Sequence, residues 1–250
     1  QVNLTTDEAQ FLPSRQSQDY IISSFDVADG RLWVASYDYA IPLLSYDGTS
    51  WESYSESETG WSFPLEIQVT NTQTVWSKDR YSSALRVYNP ESEEVTAINS
   101  TRGLPSNTIA DFVFTDNDEV WIATSQGVAS FPSASFPFQG FQATIPIFNG
   151  FTLFDEEDVT AVASDGGRRL WAATSDGLWL FDRGFNTLVH QFNVDNSPLP
   201  SNKIIQLTYN TQNGELFILT SLGLVSYRTA SSRASATFSE TVIFPSPVPV

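Results

Sequence analysis

"RLWAATSDGLWLF" (residues 169–181) is the stretch on which the fold turns. Its residues alternate in the manner of a strand and lack the i, i+3, i+4 spacing of an amphipathic helix. Leu170-Trp171 begins one apolar run, Leu178-Trp179 a second, and Thr-Ser-Asp-Gly lies between them. Gly177 supplies the backbone conformation that other residues resist, so the stretch predicts strand, tight turn, strand. "EVWIATSQGVASF" (119–131) and "ELFILTSLGLVSY" (215–227) repeat it closely. "RLWVASYDYAIPLLSY" (31–46) and "TVWSKDRYSSALRVY" (74–88) are looser copies. The aromatic residues at 33, 76, 121, 171 and 217 are 43, 45, 50 and 46 residues apart.

Reading outward from this hairpin completes one unit. Upstream lies another strand, such as "IADFVF" (109–114), joined by a polar turn: "TDNDE" (115–119), "SDGGRR" (164–169) or "TQNGE" (211–215). Asn213-Gly214 provides the positive φ such turns need. Downstream lies a fourth strand, such as "NTLVHQF" (186–192). "LPSN" at 104–107 and 199–202 punctuates the units, with a weaker "LPSR" at 12–15. Leu seals the seam between units, Pro restricts the residue before it, and Ser-Asn suits the turn. Four short antiparallel strands in a repeat of about 45 residues make an all-β fold, a β-propeller of four-stranded blades. The second-strand Trp is expected as the wedge between blades, its alternative being a sugar-stacking platform. The expected blades are 12–58, 59–99, 100–155, 156–194 and 195–244. Residues 1–11 are expected to form the last strand and exit of a preceding blade, and 245–250 a Pro-rich linker. Two geometries stand open: five blades of a seven-bladed propeller, or a five-bladed ring closed by the N-terminal strand.

Composition narrows the function. In 250 residues there are 29 acidic and 12 basic side chains, a formal net charge of −17. That argues against binding nucleic acid or an anionic membrane, which need a basic face. The absence of cysteine removes disulfides, thiolate chemistry and Cys-ligated metals. No apolar run is long enough to span a bilayer. The sequons at Asn3 and Asn99 are too common by chance to weigh.

The pattern LPSN-x-I, acidic hairpin, then [LV]-W-x-A-T-S-x-G-[LV] resembles the two-component-regulator propeller repeat. The resemblance covers residues 12 to about 230 and is most specific in the last three units. "SYDYA" and "SKDRYSSA" replace the Thr-Ser-x-Gly turn in the first two. "VIFPSPVPV" (242–250) is similar to the junction before C-terminal sorting domains in type IX secretion, with Ser246 where Asn is usual. Together these features resemble the PorZ-type surface component of the type IX secretion system of Bacteroidetes. That resemblance implies a cell-surface component working with the sortase-like attachment machinery and handling anionic lipopolysaccharide, followed by a sorting-type β-sandwich. The alternative is the periplasmic sensor propeller of a hybrid two-component histidine kinase responding to a polysaccharide.

The catalytic inventory is thin, and no enzyme activity or cofactor is expected. His190 is the single histidine and is expected to be a structural residue on an outer strand. No Gly-x-Ser-x-Gly turn supports a triad around it, and His-ligated zinc needs more imidazoles. "TDNDEV" (115–120) has a fragment of a calcium pattern but sits where other units have a turn. "FDEED" (154–158) is expected to be a solvated loop, although carboxylate pairs can serve glycosidases. No metal site is expected.

A binding face is more legible. Second-to-third turns and blade-to-blade connections share one face of a propeller, where ligands often bind. Its candidate residues are Tyr37, Tyr39, Trp61, Lys78, Arg80, Tyr81, Arg102 and Lys203. Aromatic rings and isolated cations suit an acidic polysaccharide, rings stacking on sugars and guanidinium forking onto phosphate or carboxylate. The insertion "SFPSASFPFQGFQATIPIFNGF" (130–151) holds six phenylalanines. An apolar loop of this kind must dock, and Phe136, Phe138 and Phe141 are its candidate contacts to a partner protein.

Overall fold

A computed structural model describes residues 21–37 and 40–229. Five antiparallel sheets follow one another along the chain. The first comprises β1 (Ile22–Ala28), β2 (Arg31–Ser36), β3 (Leu43–Tyr46) and β4 (Trp51–Tyr54). The second holds β5 (Pro64–Val69), β6 (Val75–Asp79), β7 (Leu85–Asn89) and β8 (Glu94–Ile98). The third has three strands, β9 (Ile109–Phe114), β10 (Val120–Thr124) and β11 (Gly127–Phe131), followed by a short hairpin of β12 (Ile147–Phe148) and β13 (Phe151–Thr152). The fourth comprises β14 (Ala161–Ser164), β15 (Leu170–Thr174), β16 (Gly177–Phe181) and β17 (Leu188–Phe192). The fifth shows β18 (Ile204–Asn210), β19 (Glu215–Thr220) and β20 (Gly223–Arg228). Each is a propeller blade with its strands in sequence order from inside to outside. Among the described residues no hydrogen bond links the fifth blade back to the first. The expected strand at 1–11 and linker at 245–250 lie outside the described residues.

The core lies between blades. Trp33, Trp76 and Trp171 are fully buried and Trp121 is 6% exposed. Each sits in the seam between its own blade and the next: Trp33 with Ile67 and Val69, Trp76 with Phe112. Trp121 packs with Val162, and Trp171 with Leu207. Trp76 has Phe112, Phe114 and Phe131 around it at 5.7–6.5 Å between ring centres. Burying rings of this size contributes about 1.5–3 kcal/mol or more each. None presents a face for sugar stacking.

Innermost strands of neighbouring blades share no ladder, and side chains bridge the gap instead. Asp26 accepts from Val69 N at 2.7 Å, and Ser24 Oγ from Ile67 N at 3.2 Å. Gln68 donates to Phe112 O at 2.7 Å and accepts from Phe114 N at 3.2 Å. Asp111 accepts from Val162 N at 2.9 Å, and Thr160 Oγ1 donates to Ile204 O at 2.9 Å.

The repeated motifs have local jobs. In Thr-Ser-x-Gly the threonine closes the turn: Thr124 Oγ1 donates to Gly127 O and accepts from Gln126 N, and Thr220 does the same with Gly223 and Leu222. In LPSN, Leu104 and Leu199 are buried in the seams. Ser106 and Ser201 bond the turn serines Ser125 and Ser221. Asn107 and Asn202 accept from Ser100 N and Val194 N, tying the connection to its start.

Two substitutions separate turn strain from packing. Gly177 has φ +116°, and a Cβ there would press into the Phe192 carbonyl oxygen of β17. Gly223 has φ +147° with open space around it, so only the backbone strain applies. Gly177→Ala is expected to cost about 3 kcal/mol or more and Gly223→Ala about 1–2 kcal/mol, read from urea unfolding midpoints. Equal losses would contradict the packing account.

Asp111 generates a pH prediction. Desolvation in the seam, with the Glu66 charge nearby, pushes its carboxyl from 3.8 up to about 7, against its two backbone hydrogen bonds. The folded chain therefore keeps a proton that the unfolded chain releases, and stability falls as pH rises from about 4 to about 7. Asp111→Asn should flatten this part of the thermal-midpoint profile. The same slope in parent and variant would refute the assignment.

Candidate functional site

The connection face, which carries the second-to-third turns and the blade-to-blade links, gathers one cluster from the predicted residues. Tyr37 follows β2 and Arg80-Tyr81 follow β6, so the two divergent turns of the first two blades bring them together. Arg80 Nη1 donates to Tyr37 Oη at 2.9 Å, and its guanidinium lies 5.9 Å from the Tyr37 ring and 5.6 Å from the Tyr81 ring. Sequence reasoning missed Phe63, which the connection from the first blade places between them. Its ring is 5.0 Å from Tyr37 and 5.6 Å from Tyr81. The Arg80 N–H donates to Phe63 O at 3.0 Å, fixing the turn against the connection. Tyr81 is 72% exposed and Arg80 is exposed, so a ring and a cation face solvent side by side. Asp79 turns inward to accept from Ser62 N and Ser77 Oγ at 3.0 and 2.7 Å, which keeps its charge off the cluster's surface.

Other predicted face residues have structural work. Trp61 is fully buried with Trp33 and Val75 and cannot stack on a ligand. A four-residue helix, Glu56–Thr59, causes this: its capping box at Ser55 and left-handed Gly60 turn the chain inward just before Trp61. Lys78 pairs with Glu66 at 2.9 Å and donates to Ala110 O at 2.7 Å, stitching the second blade to the third. Arg102 donates to Phe141 O at 2.7 Å and Pro137 O at 3.0 Å, with its guanidinium 5.3 Å from the Phe131 ring. Carbonyls of the insertion thus occupy the group assigned to a ligand. Lys203 is exposed in the connection to the fifth blade. Tyr39 lies outside the described residues.

The phenylalanine-rich insertion docks on its own blade and on the blade before it. Ser133 and Ser135 bond the Asp118 carboxylate, and Ala134 O accepts from Trp76 Nε1 at 2.8 Å. Thr144 then bonds both backbone groups of Ser130, taking one rung of the missing fourth strand. Phe138 and Phe141 pack on the core of the seam between the second and third blades, and Phe136 is 54% exposed. Phe138 and Phe141 are half-buried there, and Phe136 is the most open of the three residues expected to meet a partner.

His190 lies exposed on β17, stacked on Phe192 at 5.4 Å. "TDNDE" is a hairpin turn, with Thr115 N donating to Glu119 O at 2.9 Å. Asp155, Glu156, Glu157 and Asp158 are exposed.

No family model matches the sequence. No curated protein matches it either. Solved structures do. PorZ of Porphyromonas gingivalis, described as an essential bacterial surface component of the type-IX secretion system, aligns with a TM-score of 0.75 at 20% identity over 91% of this chain and 35% of its own. The extracellular domains of two putative hybrid two-component systems of B. thetaiotaomicron align with TM-scores of 0.62 and 0.61, at 20% and 17% identity. They cover 91% and 85% of this chain, which spans 30% and 28% of theirs. This chain therefore has the β-propeller fold seen in PorZ and in those extracellular domains, and it spans about a third of the length of those proteins.

Proposed function

We propose that this chain is a non-enzymatic binding and scaffold module of type IX protein secretion and cargo attachment, working at the cell surface. Its ligand contact is the Tyr37, Phe63, Arg80 and Tyr81 cluster, and its ligand is an anionic lipopolysaccharide or polysaccharide. The observation that carries the reading is the exposed Arg80–Tyr81 pair on the connection face, a cation beside an open ring. Sugar faces stack on rings and acidic groups take a guanidinium fork. The likeness to PorZ supports the setting, and with it the sortase-like attachment component as a partner. A second reading, the sensor propeller of a hybrid two-component system, draws on the likeness to extracellular domains of such systems. The same cluster would serve it, with a polysaccharide fragment as signal.

Arg80→Ala with Tyr81→Ala removes the pair without touching the core, because both side chains face solvent. The double variant should lose about tenfold or more in lipopolysaccharide capture, by direct binding to immobilised material, and keep the parent's melting temperature. Unchanged capture would refute the site. Co-purification from cells with the attachment machinery or with a histidine kinase separates the two settings.

A further inference from the structure

The opposite face, which carries the first-to-second hairpins, has a cleft in each of the first three seams. The repeat makes them internal controls for one another. One residue in each hairpin holds a left-handed backbone at the cleft: Gln73 (φ 60°), Asp118 (φ 69°) and Arg168 (φ 59°) in blades two, three and four. In the first seam Gln73 closes the gap, accepting from Trp33 Nε1 at 2.9 Å and donating to Ala28 O at 3.3 Å. Arg31 there is neutralised by Glu52 at 2.6 Å. In the second seam Asp118 is consumed by Ser133 and Ser135. In the third seam the side chain of Arg168 is exposed and bonds nothing among the described residues.

That third cleft, about 520 Å³, also receives Arg183, exposed and equally without a side-chain partner among the described residues. Its lining has one carboxylate, Glu119, which accepts from Ser130 Oγ. Arg183 comes from the turn between β16 and β17, where Asp182 is turned back onto Asn186 N and Thr187 N at 2.8 and 3.0 Å. Phe185 in the same turn holds φ 55°, an uncommon conformation for a bulky residue. It is pinned there edge-on to Trp121 at 5.1 Å. Two unpaired guanidiniums in one cleft are unusual in a chain of net charge −17 with 12 basic residues.

We infer that the cleft between blades three and four is a second binding site, and that it takes the carboxylates of an acidic peptide segment. Guanidinium forks match carboxylates bidentately. Pro132 and Pro146 make stiff apolar walls for an extended chain. The aromatic rings favour a peptide over a sugar, because Trp121 is buried and Phe185 is committed to it, leaving the cations as the feature presented to solvent. The site is on the face opposite the Arg80–Tyr81 pair and does not depend on that reading.

The test is fluorescence anisotropy of dye-labelled hexaglutamate titrated with the 250-residue chain at about 50 mM salt. The parent should bind saturably, and Arg168→Ala with Arg183→Ala should weaken binding by about tenfold or more. Each single variant should fall between, and Arg228→Ala, an exposed arginine on β20, should bind as the parent does. Absence of saturable binding, or equal binding by the double variant, overturns the proposal. So does arginine-dependent binding of trigalacturonate or inorganic phosphate where hexaglutamate fails, which would make this a sugar-acid or phosphate site.

Discussion

Neighbouring blades converge at their innermost strands without joining into a sheet, and the fold depends on how that gap is bridged. A strand edge left open in a seam would bury unpaired N–H and C=O groups, at about 1–3 kcal/mol each. Here side chains one blade away supply the partners: Asp26 for Val69, Gln68 for Phe112 and Phe114, Asp111 for Val162, Thr160 for Ile204. Alternation along the strand does the rest. In β5, Ile67 and Val69 turn to the preceding blade while Gln68 reaches the following one. The tryptophan of the second strand in each of the first four blades then fills the space behind the bridges. Seam polarity and seam packing are therefore two consequences of one strand periodicity.

This arrangement frees the turns. Once seams carry the stability, a turn need only satisfy its own backbone, and side chains at its tip can vary from blade to blade. Thr124 and Thr220 hold their turns by hydrogen bonds to the backbone. The first two blades abandon that solution, and there the chain builds a cluster of rings around Arg80. The hairpin tips show the same freedom, with Gln73, Asp118 and Arg168 in one backbone conformation and three chemical environments.

The repeat, the four-strand unit, the wedge tryptophans and the turn positions were all legible in sequence, because each has a local signature of period 2, an aromatic and a glycine. Tyr37, Arg80 and Tyr81 were legible as a face because turn order along a blade dictates which end each turn occupies. Three things were not. Trp61 follows a short connection whose helix and Gly60 aim it inward, and no periodicity extends that far. Phe138 and Phe141 pack half-buried on the seam between the second and third blades, a contact between elements that the loop's own sequence does not encode. Phe63 joins the cluster through a turn-to-connection contact between blades, which one-dimensional spacing does not encode.

Cations carry the clearest lesson about reading function from such a chain. Four basic residues map to the connection face by topology, yet Lys78 is bound to Glu66 and a carbonyl, and Arg102 to two carbonyls. Here strand β9 and the insertion present backbone carbonyls that these two long side chains reach. A count of positive residues on a face therefore overstates its field. What remains among the described residues after these bonds are subtracted is sparse: Arg80 beside two tyrosines, Lys203, Arg228 on β20, and the Arg168 and Arg183 pair in a cleft of the other face. In a molecule this acidic, an unspent guanidinium next to a ring or another guanidinium is the place where an anion gains most, and the seams decide which guanidiniums are left unspent.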